Sequence, residues 1–384
     1  MQPMHYFDNA ATSWPKPESV YRAHDQFMRE VGANPGRSGH CLAKQADQLV
    51  EETRALLAQF FNAPDPNQVA FTFNCTDGLN LVIKGLVSPG DHVVTSTLEH
   101  NSVSRPLRRL EQHGVEVTYL QPDAEGYLAA EELQAVMRPE TRLVILAHAS
   151  NVLGTVQDAA ALARVTHRHG ALFALDAAQT AGIYPIDMQA MGIDILVVPG
   201  HKALLGPYGT GAVITLRDVG IEPWRDGGTG TKSDSRLHPR DLPYRLEAGT
   251  LNAAGIAGLK AGLEFIEEQG LERIRSVEQG HIQQILDELD QHDQVTVYGP
   301  KAADRRAGLV SFNLRGLPPD QLGQQMNDEF RVAGRPGLHC SPLAHRTVRT
   351  FPEGSYRLSP GFFTTEEGIE AVRKGIREIC RSLR

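Results

Sequence analysis

The chain has 384 residues, 38 Lys and Arg against 46 Asp and Glu, and a formal net charge of −8. No Lys/Arg-rich run stands out, so neither nucleic acid nor an anionic membrane is an expected partner. With 41% hydrophobic and 22% charged residues it has the composition of an ordinary globular protein, long enough for a large domain plus a smaller one.

The opening residues, Met1-Gln2-Pro3-Met4-His5-Tyr6, show neither a basic nor an apolar signal-peptide region, and no later stretch approaches the roughly 18 apolar residues of a membrane span. A cytoplasmic protein is expected. Residues 8–40 read as an irregular lead-in. Turn formers fill Trp14-Pro15-Lys16-Pro17 and Asn34-Pro35-Gly36-Arg37-Ser38-Gly39-His40, with a helix over 18–29 between them. From 43 to 61 the residues Leu49, Val50, Leu56, Leu57 and Phe60 recur at helical spacing, predicting an amphipathic helix that Asn62-Ala63-Pro64 ends.

The pattern then alternates. A strand over 69–73 precedes a helix opening near Thr76, a strand over 91–96 precedes a helix over 102–112, and strands over 115–120 and 143–147 follow. A helix over 158–169 leads to strands over 171–175 and 193–198. Repeated βα alternation predicts an α/β fold with a mainly parallel sheet covered on both faces. The strand over 211–216 follows after only a short turn and is expected to run antiparallel. Residues 218–247, containing Gly227-Gly228-Thr229-Gly230, are expected to form an active-site loop. One long helical segment is predicted over 253–291, then strands over 295–298 and 308–313 and helices over 320–328 and 365–382. This suggests a large domain over 15–252 and a smaller one from 1–14 and 253–384.

Two strands end in chemistry. The apolar run from Ile193 to Val198 stops at Pro199-Gly200-His201-Lys202, and the strand before it stops at Asp176-Ala177-Ala178-Gln179. Strand ends in open α/β sheets deliver groups to a crevice, so a carboxylate and an amine would meet there. The plainer alternatives are a helix N-cap for Asp176 and a solvated surface lysine for Lys202. Pyridoxal phosphate uses such a pair: a lysine holds it as a Schiff base and a carboxylate keeps its ring nitrogen protonated.

These two segments, with Asp8-Asn9-Ala10-Ala11-Thr12, Arg335-Pro336-Gly337-Leu338-His339-Cys340 and Gly354-Ser355-Tyr356-Arg357-Leu358-Ser359, resemble class V aminotransferase-type enzymes of fold type I. Within that class the resemblance is to the cysteine desulfurase and selenocysteine lyase branch, over nearly the whole chain. It implies a mainly parallel large domain, a smaller α+β domain and a homodimer. It makes Lys202 the Schiff-base lysine and Asp176 the partner of the ring nitrogen, with Gln179 and Asn151 on the phenolic oxygen. Asn151 also suits a turn beside Gly154.

Phosphate is expected at Asn74-Cys75-Thr76-Asp77-Gly78, where a strand gives way to a helix whose N–H groups and dipole suit an anion. Cys75 and Thr76 would sit there, with His201 as a second contact. The residue before Gly-His-Lys is commonly serine in the family but here is Pro199, which cannot donate. Ala248-Gly249-Thr250 resembles a segment that reaches across the dimer interface, so Thr250 of a second subunit is expected to compensate.

His100, in Glu99-His100-Asn101, resembles the histidine that stacks on the cofactor and shuttles protons. Arg357 is expected to clamp the substrate carboxylate through its guanidinium fork, with a surface salt bridge as the alternative. Arg335 and His40 are further candidate substrate contacts. Cys340, with Arg335 and His339 beside it to favour the thiolate, is expected to take sulfur from L-cysteine, leaving L-alanine and a persulfide for an acceptor protein. Cys75 and Cys41 are rival thiols, and Cys380 reads as packing. A dinucleotide site at 206–211, a P-loop at Lys232-Ser233 and a metal at His339, Cys340 and His345 all fail on spacing. Selenocysteine lyase, an aminotransferase or amino-acid lyase, and a catalytically silent scaffold remain open.

Overall fold

The computed structural model describes residues 4–36 and 39–383, so Arg37 and Ser38 of the expected turn lie outside the described residues. In chain order the first elements are β1 (His5–Tyr6), α1 (Glu18–Gln26), α2 (Cys41–Phe60), β2 (Val69–Thr72), α3 (Cys75–Leu86), β3 (His92–Ser96), α4 (Asn101–Glu111) and β4 (Glu116–Leu120). Then come α5 (Ala130–Val136), β5 (Thr141–Ala147), α6 (Ala159–Arg168), β6 (Leu172–Asp176), α7 (Met188–Met191), β7 (Ile195–Pro199) and β8 (Gly211–Thr215). The remainder is α8 (Ala253–Gln269), α9 (Leu271–Leu289), β9 (Val295–Tyr298), β10 (Val310–Leu314), α10 (Pro319–Phe330), β11 (Val332–Ala333), β12 (Arg335–Gly337), α11 (Pro342–Thr347), β13 (Ser355–Leu358) and α12 (Glu366–Ser382).

Seven strands form one sheet in the order β2-β8-β7-β6-β5-β3-β4. Strands β3 to β7 pair in parallel, while β8 runs antiparallel to β2 and β7. The connection into β8 is shorter than the dozen or so residues a parallel crossover needs, which forces that direction. Alternate residues go to opposite faces. Phe173, Leu175, Leu196 and Val198 join the core that α2 and α8 cover, whereas Leu172, Ala174, Ile195 and Val197 join the core under α3 and α4. Both faces are buried, so these strands read as continuous apolar runs. Asp176 follows Leu172 and Ala174 in the period-two pattern, which aims its carboxylate at the α3 side.

A second, antiparallel sheet has the order β12-β13-β10-β9. Its core includes residues of α9, α10 and α12 and also Phe7, while β1 pairs in parallel with β11. Residues 5–7, and the start of the lead-in through the Asp8–Ser359 bridge, are therefore tied to the C-terminal third.

Some expectations change. The segment over 253–291 is two helices, because Gly270 at φ +80 closes α8 and opens α9; the apolar spacing continues on both sides and hides the break. The first helix is α-helical only to Gln26 and continues as a π-helical turn over Phe27–Val31. The short α5, α7 and α11, and strands β1, β11 and β12, are too brief to carry a periodic signal. No helix among the described residues is long and apolar enough to cross a membrane.

Candidate active site

The carboxyl ends of β5, β6 and β7 meet the N-termini of α3 and α4 around a cleft of about 220 Å³. Lys202 enters it from the turn after β7. That turn needs glycine: a Cβ at Gly200 would run into the Thr210 hydroxyl, and one at Gly182 into the Ala203 carbonyl. The N-terminal lead-in grips the same turn. Thr12 Oγ1 and Lys16 Nζ donate to the His201 carbonyl at 3.0 and 2.7 Å, and Ser13 Oγ donates to the Lys202 carbonyl at 2.7 Å.

Asp176 is only 4% exposed. Its Oδ1 accepts the Ala178 N–H at 2.9 Å and the Cys75 thiol at 3.3 Å, while Oδ2 takes no partner among the described residues. Burial raises the Asp176 pKa and lowers that of Lys202, and each charge opposes the shift of the other. A buried carboxylate with one open oxygen, facing a cleft that also holds an amine, fits a protonated ring nitrogen.

The anion end is also built. The Asn74 side chain caps the Asp77 N–H at 2.9 Å, which leaves the Cys75 and Thr76 N–H groups without partners among the described residues. Asp77 turns its carboxylate to the Phe73 N–H and toward Arg225, away from that end. Thr76 Oγ1 lies 2.6 Å from Ser102 Oγ, which lies 2.7 Å from His100 Nδ1. Ser102 escaped sequence reasoning; its position, two residues past a helix-capping histidine, was the available signal. Burial first, then Lys202, lowers the pKa of His100 and of His201 to about 4, so both rings are neutral at pH 7.

Gln179 lines the cleft and donates to the Ala10 carbonyl at 3.1 Å. Asn151 lines it too, but its amide is engaged elsewhere: Nδ2 donates to the His339 carbonyl and Oδ1 accepts from Ser341, both at 2.7 Å. Arg357 is 1% exposed; it donates to Asp8 at 2.8 Å and to the Asn151 carbonyl at 2.9 Å, and its buried Nε–H has no partner among the described residues. That unused N–H is a donor that a carboxylate oxygen can accept from. Asp8 was not foreseen as its partner.

Cys340 is exposed, with Arg335 Nη2 3.8 Å from its sulfur. His339 does not support a thiolate as expected. Its ring is buried, hydrogen-bonded to the Arg335 carbonyl and to His345, and driven neutral by burial and Arg357. Cys75 is buried against Asp176, whereas Cys41 is exposed at the start of α2. His40 caps α2 through Nδ1 and does not line the cleft; neither does Thr250, nor any residue of 218–247. The loop is anchored instead by the buried Arg54–Glu247 pair at 2.8 Å.

This geometry, a lysine and an acid at adjacent strand ends of a mixed, mostly parallel α/β sheet, is that of the fold type I class. A family model, aminotransferase class-V, matches residues 5–372, and the chain belongs to that family. A probable cysteine desulfurase of Methanothermobacter thermautotrophicus is 33% identical over 98% of this chain and 95% of its own length. The cysteine desulfurase of Escherichia coli O157:H7 is also 33% identical, over 99% of this chain and 94% of that protein. Among solved structures, an apo cysteine desulfurase from Thermococcus onnurineus superposes with a TM-score of 0.92 at 32% identity, covering 99% of this chain and 95% of that one.

Proposed function

We propose that this chain is a pyridoxal-phosphate-dependent cysteine desulfurase that moves sulfur from L-cysteine to Cys340. The convergence of Lys202 and Asp176 on one cleft, beside a buried Arg357 with an unused N–H edge, carries the reading. The class V family supplies the cofactor, and the named relatives supply the substrate.

Lys202 and Asp176 would hold the cofactor ring, Gln179 its phenolic oxygen, and Thr76, His201 and the Cys75 and Thr76 N–H groups its phosphate. When bound, the cofactor supplies an electron-accepting ring. Lys202, whose burial weakens its hold on a proton, takes the substrate Cα proton and returns one. Arg357 orients the substrate carboxylate, which keeps the substrate sulfur toward Cys340. The Cys340 sulfur attacks that sulfur; an S–S bond forms as the C–S bond breaks, and a proton takes the place of sulfur on Cβ. L-Cysteine and a thiol thus become L-alanine and a persulfide, with every atom accounted for.

Thr250 is exposed and outside the cleft of its own chain, so its expected phosphate contact belongs to the second subunit of a homodimer. Residues 15–252 are taken as the large domain and 1–14 with 253–384 as the small one. The test is alanine and sulfide formation from L-cysteine with reductant present. Equal yields of both, lost in Cys340→Ala while the cofactor's visible absorbance stays, are expected. Full sulfide release by Cys340→Ala would sink the proposal.

A further inference from the structure

Two buried imidazoles under Cys340 have no part in that reaction. His339 is 3% exposed and His345 is 0% exposed. His339 Nδ1 lies 3.3 Å from His345 Nε2, His339 Nε2 lies 2.9 Å from the Arg335 carbonyl, and His345 Nδ1 lies 2.7 Å from Thr350 Oγ1.

The partners assign the protons. A carbonyl oxygen only accepts, so His339 Nε2 carries hydrogen and, in a neutral ring, Nδ1 is a lone pair. His345 must then donate through Nε2, and its Nδ1 accepts the Thr350 hydroxyl. Both rings are neutral, because burial and the nearby Arg357 charge oppose protonation of each. The three hydrogen bonds therefore run one way, from Thr350 through His345 and His339 to the Arg335 carbonyl.

At His339 this relay passes through an unusual turn. His339 and Cys340 have φ of +48 and +60, and the Ser341 N–H donates to the Leu338 carbonyl at 2.8 Å. A turn with both central residues left-handed normally takes Asn, Asp or Gly there. Backbone bonds hold one side of it: Asn151 donates to the His339 carbonyl, and the Asn101 N–H donates to the Cys340 carbonyl at 2.8 Å. Among the described residues, the relay supplies the hydrogen bonds of the His339 ring, and it fastens that ring to the backbone of Arg335, whose guanidinium lies against the Cys340 sulfur.

We propose that His345 is a positioning residue for the sulfur-accepting thiol: its hydrogen bond to His339 locks the 338–341 turn left-handed and keeps Cys340 beside Arg335. The proposal rests on the desulfurase reading for its meaning but is measured without it. Hydrogen exchange of the peptide spanning 338–341 is compared in wild type, His345→Leu, His345→Gln and Thr350→Val, together with kcat and KM for L-cysteine. Leucine removes the donor, glutamine keeps one donor and one acceptor, and valine removes only the terminal hydroxyl.

His345→Leu is expected to speed exchange of the turn at least tenfold and to lower kcat at least tenfold, with KM and cofactor absorbance unchanged. His345→Gln should restore most of both, and Thr350→Val should fall between. Unchanged exchange in His345→Leu overturns the proposal, as does faster exchange with undiminished kcat. Should His345→Leu fail to fold, unchanged exchange in Thr350→Val overturns it instead. Sulfide release by Cys340→Ala would remove the desulfurase reading yet leave the exchange result standing.

Discussion

Glycine at position 340 should give a more stable protein than alanine at the same position. Cys340 has φ +60, where a side chain costs about 1–2 kcal/mol by crowding the next carbonyl. Glycine escapes that cost but loses about 0.5–1 kcal/mol more than alanine through its freer unfolded chain. The difference leaves Cys340→Gly ahead of Cys340→Ala by about 0–1.5 kcal/mol, centred on roughly 0.75. The side chain is exposed, so little buried area enters the comparison. Both variants lack the thiol, which separates stability from turnover. Urea unfolding at matched cofactor occupancy reads the difference as a shift in midpoint. Cys41 is the control, since it is exposed on the first residue of α2, where alanine should beat glycine. If alanine is also the more stable residue at 340, the turn is not strained and the reasoning fails.

Asp176→Asn keeps the shape of the side chain and removes its charge, so sulfide release should fall about 100-fold or more while the fold is retained; near-normal turnover would remove Asp176 from the mechanism. Mixing Lys202→Ala subunits with Thr250→Val subunits should restore more activity than either alone if Thr250 serves the opposite site, and no gain on mixing would refute a shared site. Acid stability of the cofactor-free protein follows from buried groups. His100, His148, His201 and His345 all have folded pKa values of about 4 against 6.5, so stability they leave intact above pH 6.5 is lost as pH falls toward 4. Glu99 and Glu278, raised from 4.5 to about 8, act in the opposite sense between those values. His339, also held neutral by burial, joins these four, so the histidines outnumber the two glutamates, protons are taken up on unfolding between pH 6.5 and 4.5, and stability falls as pH falls over that interval. Urea midpoints that do not fall over that interval would show that these histidines titrate normally.

The strand-end pair was legible because buried parallel strands are apolar throughout, so Asp176 and Lys202 stand out where the runs stop. Thr76 was marked by its place where a strand gives way to a helix, whereas His100 and His201 were marked by family resemblance; all three line the cleft. Contacts made across the chain were not. Asp8 and Arg357 are 349 positions apart, and Ser341 and Asn151 are 190 apart, with no local pattern to link them. The turn at 338–341 was hidden for a different reason: Leu-His-Cys-Ser contains no Gly, Asn or Asp at its two left-handed positions, and tertiary bonds hold Cys340 there against local preference. The same bonds explain why Asn151, expected on the cofactor, holds the cysteine loop. The break at Gly270 was missed because apolar spacing persists through it.

The charges facing the cleft give the site a sign that the whole protein lacks. With His100 and His201 neutral, Arg335 and Arg357 are the guanidinium cations lining it, beside the Lys202 amine, and Asp176 is the acid. Asp8 offsets Arg357 in part, while the N-terminus of α3 adds a fraction of positive charge at the open Cys75 and Thr76 N–H groups. A chain of net charge −8 thus presents a mildly positive crevice. Field lines concentrate in such clefts, so an anion that the protein as a whole repels is drawn in over the last few ångströms. The proposed reaction must hold two anionic groups there, a phosphate and an amino-acid carboxylate. Had the buried imidazoles been charged, the same cleft would have lowered the basicity of Lys202 further and left Asp176 drawn toward them instead of the ring, so keeping them neutral is what lets one amine and one acid divide the chemistry.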